Sequence, residues 1–418
     1  MTSKTQSGWS SRIESLEVRR HFAVATPPFD ARVENGSLIV TGTAADDAIV
    51  IDNPEGAAGM VRVMTYSDNW PRVFTGVTRD VRVDLGDGDN QLFVEALLVR
   101  RDLRIRTGAG RDGVQLGGTS VGRDASIETR QGDDTLALVG VTVGGQARLA
   151  SGSGDDLLTV ARTTATGKAY VRGYRGDDNV AVIGSTFGGG QILDGLGTDA
   201  IVTQAVEIDS NFRHGDQGWE VGFADGPGPP HERGDTLDWG VRTLPRSLKA
   251  SGTGYYLYGL NGWDDLFMYL TKPVGTGEGL AASQAYQVIY QIEFTTDIPT
   301  RYDYPVYLKA GATPNPLDGF LDGNGHYRLN LDKGNQGNAG TEVGIVPSGL
   351  NHALPYLAAE AASFPFRTAR RTYVHDRPIT AGDEGTLRLV VGTDSALEAQ
   401  TYLYYRKIRV VLVPIRTG

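Results

Sequence analysis

Apolar residues recur through the first half of the chain in columns spaced 22 residues apart. Leu92, Val114, Leu136, Leu158, Val180 and Ile201 form one column, and Val94, Leu116, Leu138, Val160 and Val182 a second. Val83, Ile105, Ile127, Leu149, Val171 and Leu193 form a third; Val99, Val121, Val143, Ala165 and Phe187 form a fourth. Within each segment apolar and polar positions alternate with period 2, the pattern of half-buried strands. Three short strands per repeat, with like residues falling on like and no helix between successive strands, predict a parallel β-helix. Stacking at about 4.8 Å per rung turns each column into a continuous aliphatic ladder.

The turns carry their own column. Gly88, Gly110, Gly132, Gly154 and Gly176 share the 22-residue spacing. Two positions later come Asn90, Asp112, Asp134, Asp156 and Asp178, then Asp199 after a one-residue deletion. Asp89, Asp133, Asp155 and Asp177 precede them, with Arg111 interrupting the run. Stacked like charges about 5 Å apart cost about 1 kcal/mol per pair in water and more when dehydrated. Cations, arginines or backbone amides must offset that cost. Arg111 between Asp89 and Asp133, and Arg106 between Asp84 and Glu128, supply part of it. Glycine provides positive φ and aspartate caps its own turn in the simplest account. Upstream, residues 37–51 read as a degenerate rung and 59–80 as the next, with Trp70 and Phe74 as capping or packing residues.

The turn sequences Gly86-Asp-Gly-Asp-Asn, Gly152-Ser-Gly-Asp-Asp and Gly195-Leu-Gly-Thr-Asp resemble the glycine- and aspartate-rich nonapeptide of RTX-type bacterial proteins. That resemblance implies Ca²⁺ between rungs, with Asp89, Asn90, Asp112, Asp133, Asp134, Asp155, Asp156, Asp177, Asp178 and Asp199 as the candidate ladder. Here one such turn falls in each 22 residues, so a single edge at most would bind metal. Calcium and turn capping both remain open on these residues. The stretch Ile13-Glu-Ser-Leu-Glu-Val-Arg-Arg resembles the leader of repeat-rich surface proteins of environmental bacteria, although the apolar run after it is short for a signal peptide.

Near residue 205 the period ends. Segments 219–223, 255–258, 265–269, 286–294, 306–310, 327–331, 386–391 and 401–413 read as short strands between Gly, Pro and Asp turns, predicting an antiparallel β-sandwich. Its ends, Gly-Trp219 and Leu403-Tyr-Tyr-Arg-Lys-Ile-Arg-Val410, resemble carbohydrate-binding jelly rolls. Internal segments 222–225, 264–268, 332–336 and 392–395 resemble uncharacterised bacterial secreted domains. Trp239, Tyr255, Tyr256 and Trp263 are candidates for a sugar-stacking platform, against ordinary core packing. Asp225, Asp332, Asp394 and Glu398 are candidates for a structural calcium site, against turn capping.

Composition narrows the function. Glycine is 56 of 418 residues and cysteine is absent, so neither a disulfide framework nor a thiolate metal site is available. A net charge of −10 argues against nucleic acid as the main partner. No apolar run reaches the ~20 residues a membrane span needs. Six histidines lack metal-ligand spacing, and no nucleophile elbow, phosphate loop or dinucleotide fingerprint occurs. No catalytic residue and no organic cofactor is expected. The sequence therefore reads as an all-β chain: residues 1–32 a leader or tail, 33–204 a parallel β-helix of 22-residue rungs, 205–418 a jelly-roll-like β-sandwich. The expected function is a secreted or cell-surface bacterial binding or structural protein. Its stalk would carry a binding head for a polysaccharide, for a cell-surface component or for copies of itself. The alternatives are a self-assembling filament or surface-layer subunit, and a polysaccharide lyase or hydrolase.

Overall fold

A computed structural model describes residues 29–53, 59–65, 72–196, 200–230, 237–248, 251–260, 266–296, 306–331, 366–375, 377–395 and 400–416. Trp70, Asp199, Trp263, Asp332, Glu398 and the leader segment up to residue 28 lie outside these residues.

The predicted β-helix is present, with the predicted register. Gly113–Gly117 pairs in parallel with Gln91–Glu95 on one side and Thr135–Val139 on the other, so that Val114 lies between Leu92 and Leu136. The other two faces repeat the pattern, for example at Leu103–Arg106 against Ala125–Glu128 and at Ser120–Val121 against Thr142–Val143. The aliphatic columns form one continuous core from Leu38 to Val182. No rung buries enough by itself, so stability is shared between neighbours.

The start of the solenoid differs in one respect from expectation. Residues 37–52 do form a rung, since Ser37–Thr41 pairs in parallel with Val81–Asp84 and Ala48–Asp52 with Gln91–Glu95. Residues 59–80 do not form the next one. Met60–Thr65 and Arg72–Thr75 turn antiparallel and extend the sheet beyond Ala48–Asp52, while Asp30–Glu34 pairs antiparallel with Ser37–Thr41. A parallel edge would leave a row of unpaired backbone groups; the antiparallel strands move that edge away from the repeat.

The second half is a sandwich of antiparallel sheets. One sheet runs, in order, Leu237–Thr243, Thr253–Leu260, Gln400–Pro414, Ala285–Thr296 and Arg367–Val374, with Val206–Asn211 also pairing to Gln400–Pro414. The facing sheet runs Glu220–Ala224, Leu266–Val274, Leu387–Ser395 and Val306–Thr313. Between them lie Leu403, Tyr405, Val410, Tyr290 and Phe294 from the first sheet and Met268, Leu270, Leu308 and Val391 from the second. All eight predicted strands occur. Val206–Asn211, Leu237–Thr243 and Arg367–Val374 are additional.

A β-bulge shapes the outer face of the first sheet. Phe294 pairs with Tyr405, but Glu293 pairs with Lys407, leaving Arg406 as the extra residue. Before the bulge Leu403 and Tyr405 point inward; after it Ile408, Val410 and Leu412 do. The opposite face therefore carries Tyr402 and Tyr404, then Lys407, Arg409, Val411 and Val413.

The apolar end of that face docks on the flank of the solenoid. Ile289, Val374, Val411 and Val413 pack against Ala137, Val139, Ala161, Ala181 and Ile183, the outward small and aliphatic side chains of successive rungs. Polar groups finish the seam. Gln115 accepts the Val374 N–H at 2.8 Å and donates to its carbonyl at 3.1 Å, and Glu95 accepts the Thr372 N–H at 3.1 Å. The solenoid thus satisfies backbone groups along the edge strand Arg367–Val374. Gly117 faces the seam, and a Cβ there would overlap the Glu95 carboxylate and the Thr372 side chain. Gly117→Val is expected to force the sandwich off its seat, costing on the order of 1–3 kcal/mol. Calorimetry on this variant should resolve one cooperative transition into two, whereas an unchanged endotherm would contradict the role given to Gly117.

Candidate functional site

Two constellations of chemistry emerge, one on the turn edge of the solenoid and one on the sandwich face. On the turn edge, each glycine of the column holds positive φ (107° at Gly88, 132–138° at Gly110, Gly132, Gly154 and Gly176). A Cβ at Gly132 would overlap the carbonyl of Gly110. The tight turn brings the aspartates against backbone amides of neighbouring rungs. In the inner column, Asp112 Oδ1 accepts the Asn90 N–H at 3.0 Å, Asp134 that of Asp112 at 2.9 Å, Asp156 that of Asp134 at 2.8 Å, and Asp178 that of Asp156 at 3.0 Å. The outer column works in the opposite direction along the axis. Asp89 accepts the Arg111 N–H at 2.8 Å, Asp133 that of Asp155 at 2.9 Å, and Asp155 that of Asp177 at 2.9 Å. The two columns stitch each rung to both neighbours.

The inner carboxyls are almost fully buried. Each carboxyl lies close to the hydroxyl residue five positions earlier: Thr107 for Asp112, Thr129 for Asp134, Ser151 for Asp156. Burial pushes Asp134 up to about 8 and Asp156 up to about 7, and raises Asp112, against the lowering effect of those hydroxyls and amides. At neutral pH these shifts favour the neutral form at Asp134 and bring Asp156 to its midpoint, which eases the stacking repulsion. The outer column is relieved by amide contacts and by Arg111, while Arg106 pairs with Glu128 at 3.3 Å. Among the described residues, no three acidic or histidine side chains converge on one point suited to a metal ion. With Oδ1 accepting an amide of the neighbouring rung, the inner column makes the backbone contacts expected of turn capping.

Nor do the sandwich aspartates form such a cage. Asp225 pairs with Arg328 at 3.1 Å, and Asp394 with Lys309 at 2.5 Å in a buried contact. Each is engaged by a different cation.

The aromatic candidates separate by strand parity. Tyr255 points inward, edge-on to Phe212 at 5.6 Å, and belongs to the core. Trp239, 46% exposed, lies on the inward side of the edge strand against Phe223 at 5.3 Å. Of the three described candidates Tyr256 alone faces outward, and it is not isolated. Its ring lies 4.8 Å from Tyr404 and 6.4 Å from Tyr258; Tyr258 is 6.2 Å from Tyr402. Phe366 adjoins both Tyr402 and Tyr404, and Arg242 lies over the Tyr256 ring at 4.8 Å, held by Asp238. This half-exposed cluster went unrecognised in the sequence, although the spacing Tyr256-x-Tyr258 and Tyr402-x-Tyr404 places two tyrosines on one face of each strand.

Two clefts flank the docking seam. At the turn end, about 320 Å³ is lined by Asp133, Asp155, Asp177, Arg111 and Arg377. At the other end of the strands, about 310 Å³ is lined by Arg370, Arg371, Lys407, Arg409, Glu293 and Glu95, among others. Burial raises Glu95 to about 7 against the pull of Arg371 and the Thr372 amide.

No family model matches this chain, and no curated protein matches it. Solved structures that align with it include TmCBM61 in complex with β-1,4-galactotriose, at 11% identity over 48% of this chain and 92% of that one, with a TM-score of 0.22. TmCBM27, a carbohydrate-binding module described for specific mannan recognition, aligns at 14% identity over 51% of this chain and 100% of that one, TM-score 0.25. The enzymatically active domain of bacteriophage CBA120 tailspike protein 4 aligns at 9% identity over 81% of this chain and 56% of that one, TM-score 0.25. Scores this low leave ligand and reaction to be read from the geometry of this chain.

The inner column has a measurable pH signature. A carboxyl whose folded value lies above its unfolded value near 4 stabilises fully below about pH 4, and that contribution is lost as pH rises through 7 to 8. The thermal midpoint of the solenoid is therefore expected to fall between pH 5 and pH 9. Asn90 already occupies this column, accepting the Asp47 N–H at 3.1 Å and donating to Gly86 and Gly88 carbonyls. Asp134→Asn should accordingly flatten the pH profile and stabilise by about 1–3 kcal/mol at pH 8; a loss of stability at every pH would refute a protonated Asp134. A second expectation concerns metal. Unfolding in excess EDTA and in millimolar calcium should give the same midpoint, and a large calcium-dependent rise would reinstate the turn columns as ion sites.

Proposed function

We propose that the protein binds polysaccharide through the outward tyrosine cluster of the sandwich, with the solenoid as the rigid body on which that face is mounted. The observation that carries this reading is the grouping of Tyr256, Tyr258, Tyr402 and Tyr404 on one sheet face beside Phe366 and Arg242. Aromatic rings held at strand spacing give flat apolar surface with a hydroxyl at the rim, a combination that suits the apolar faces and hydroxyl edges of sugar rings. Burial raises the Tyr256 phenol to about 12, with Tyr404 and Asp238 adding to the shift, so this ring stays neutral at physiological pH. Rigid side-by-side strands pre-order the platform and lower the entropic cost of binding.

The location that fits such a role is outside the cell, at a surface or in a matrix. A binding role, rather than cleavage, is favoured because the outward cluster brings together tyrosines and arginine but no carboxylate pair flanking an open site, the arrangement glycoside hydrolysis needs.

Retention on insoluble polysaccharides, followed by calorimetry on soluble oligosaccharides, tests the proposal. Tyr256→Ala and Tyr404→Ala should each weaken binding about tenfold, from loss of stacking area, while the thermal midpoint shifts little. Assay of the supernatant for new reducing or unsaturated ends should find none. Release of product would move the protein to the lyase or hydrolase class, and undiminished binding by both variants would remove the platform.

A further inference from the structure

Extending the polysaccharide-binding reading, we infer that the cleft between solenoid and sandwich is an anion subsite, and that the polysaccharide recognised is an acidic one carrying uronate carboxylates. Lys407, Arg409, Glu293 and Arg370 place the cleft on the same sheet face as the tyrosine cluster, and Arg371, paired with the core-facing Ile292, lines it from the edge of the sheet. From Tyr404 the outward residues run through the bulge to Lys407 and Arg409, a span of about 17 Å at strand rise. A single extended oligosaccharide resting on the tyrosines reaches the cleft without leaving the sheet.

The charges there are in excess and directional. Arg370, Arg371, Lys407 and Arg409 line about 310 Å³. Glu293 is shared between Arg370 at 2.9 Å and Arg406 at 3.0 Å, and Asp209 between Lys407 at 2.9 Å and Arg409 at 3.1 Å. Each of these carboxylates therefore answers two cations. Asp209 is held below the usual carboxylate range by Arg409 and Lys407 in spite of its partial burial. Arg371 has no carboxylate within ion-pair distance among the described residues; it donates to the Arg370 carbonyl at 2.9 Å and feels Glu95 only at longer range. The bulge contributes directly, because the extra residue places Arg406 and Lys407 consecutively where alternation would have allowed one cation. A guanidinium with unused donors, in a cleft walled by two domains, is matched to the planar oxygens of a carboxylate. Screening confines the effect to about 8–10 Å, so the chain's overall negative charge does not cancel it.

The experiment compares hexagalacturonate with its methyl ester, which keeps the sugar backbone and removes the charge, by titration calorimetry on the full chain. The acid is expected to bind at least about tenfold more tightly than the ester, and to weaken as salt rises. Arg371→Ala should bring the acid down to the ester's affinity and leave the ester unaffected. Arg371→Lys, which keeps the charge and loses the fork, should fall between. Equal affinity for acid and ester, no binding of the acid, or acid binding undiminished in Arg371→Ala at an unaltered thermal midpoint would overturn the subsite. The platform fails separately. If Tyr404→Ala binds the ester as well as the wild type does, while the preference for acid persists, the tyrosine reading falls and the subsite stands.

Discussion

Through the regular rungs of the solenoid each side chain lies on its counterpart 22 residues away, and the rest of the molecule follows from that constraint. Stacking multiplies whatever chemistry a position carries. An aliphatic residue becomes a ladder running the length of the core, as at Leu92, Val114 and Leu136. A glycine becomes a channel through which turns nest. An aspartate becomes a row of like charges, which is unfavourable unless something intervenes. Here the intervention is local: one carboxyl oxygen takes an amide of the adjacent rung, and burial favours the neutral form of Asp134. The aspartates of the turns thereby tie each rung to its neighbours through backbone amides.

The same multiplication creates the seat for the sandwich. Ala137, Ala161 and Ala181 point outward from successive rungs and make a shallow apolar strip. Small side chains allow a second sheet to approach, and the glutamine and glutamate at the margin, Gln115 and Glu95, complete the backbone hydrogen bonds of the strand laid against them. Head and stalk are thus joined flank to face. Gln115, Glu95 and Thr159 each make a hydrogen bond across the seam, so separating the partners would leave those groups to be satisfied by water.

How much of this was legible in the sequence depends on whether a signal repeats. The 22-residue columns repeat five or more times, and they specified the solenoid and its register. The sandwich strands were legible as alternating segments, but which face each residue takes was not. Tyr255 and Tyr256 are adjacent and alike, and only the pairing of Tyr255 with Tyr405, itself buried, assigns the first to the core. Arg367–Val374 was missed because consecutive arginines break its alternation; its edge position and the cleft beside it account for them. The docking strip was visible only as alanines and a glycine among outward residues. Small size at positions that alternation assigns to solvent is a signal for close approach, and it would have found the seam. Residues 59–80 misled for a different reason: they have the length of a rung but pair in the opposite direction.

The extra residue at Arg406 sets the phase of one long strand. On its near side the outward positions are even-numbered and carry tyrosine; on its far side they are odd-numbered and carry the valines pressed against the solenoid. Drawing that residue into regular alternation would change no side chain, yet it would put the two ends of the strand in conflict. If the valines kept their seat, Tyr402 and Tyr404 would turn into the core and Leu403 and Tyr405 out to solvent. The bulge therefore acts as a parity switch on the molecule's surface. Lineages of such a protein would be free to vary the residues of the ligand face, but could lose the bulge only together with the residue that makes it.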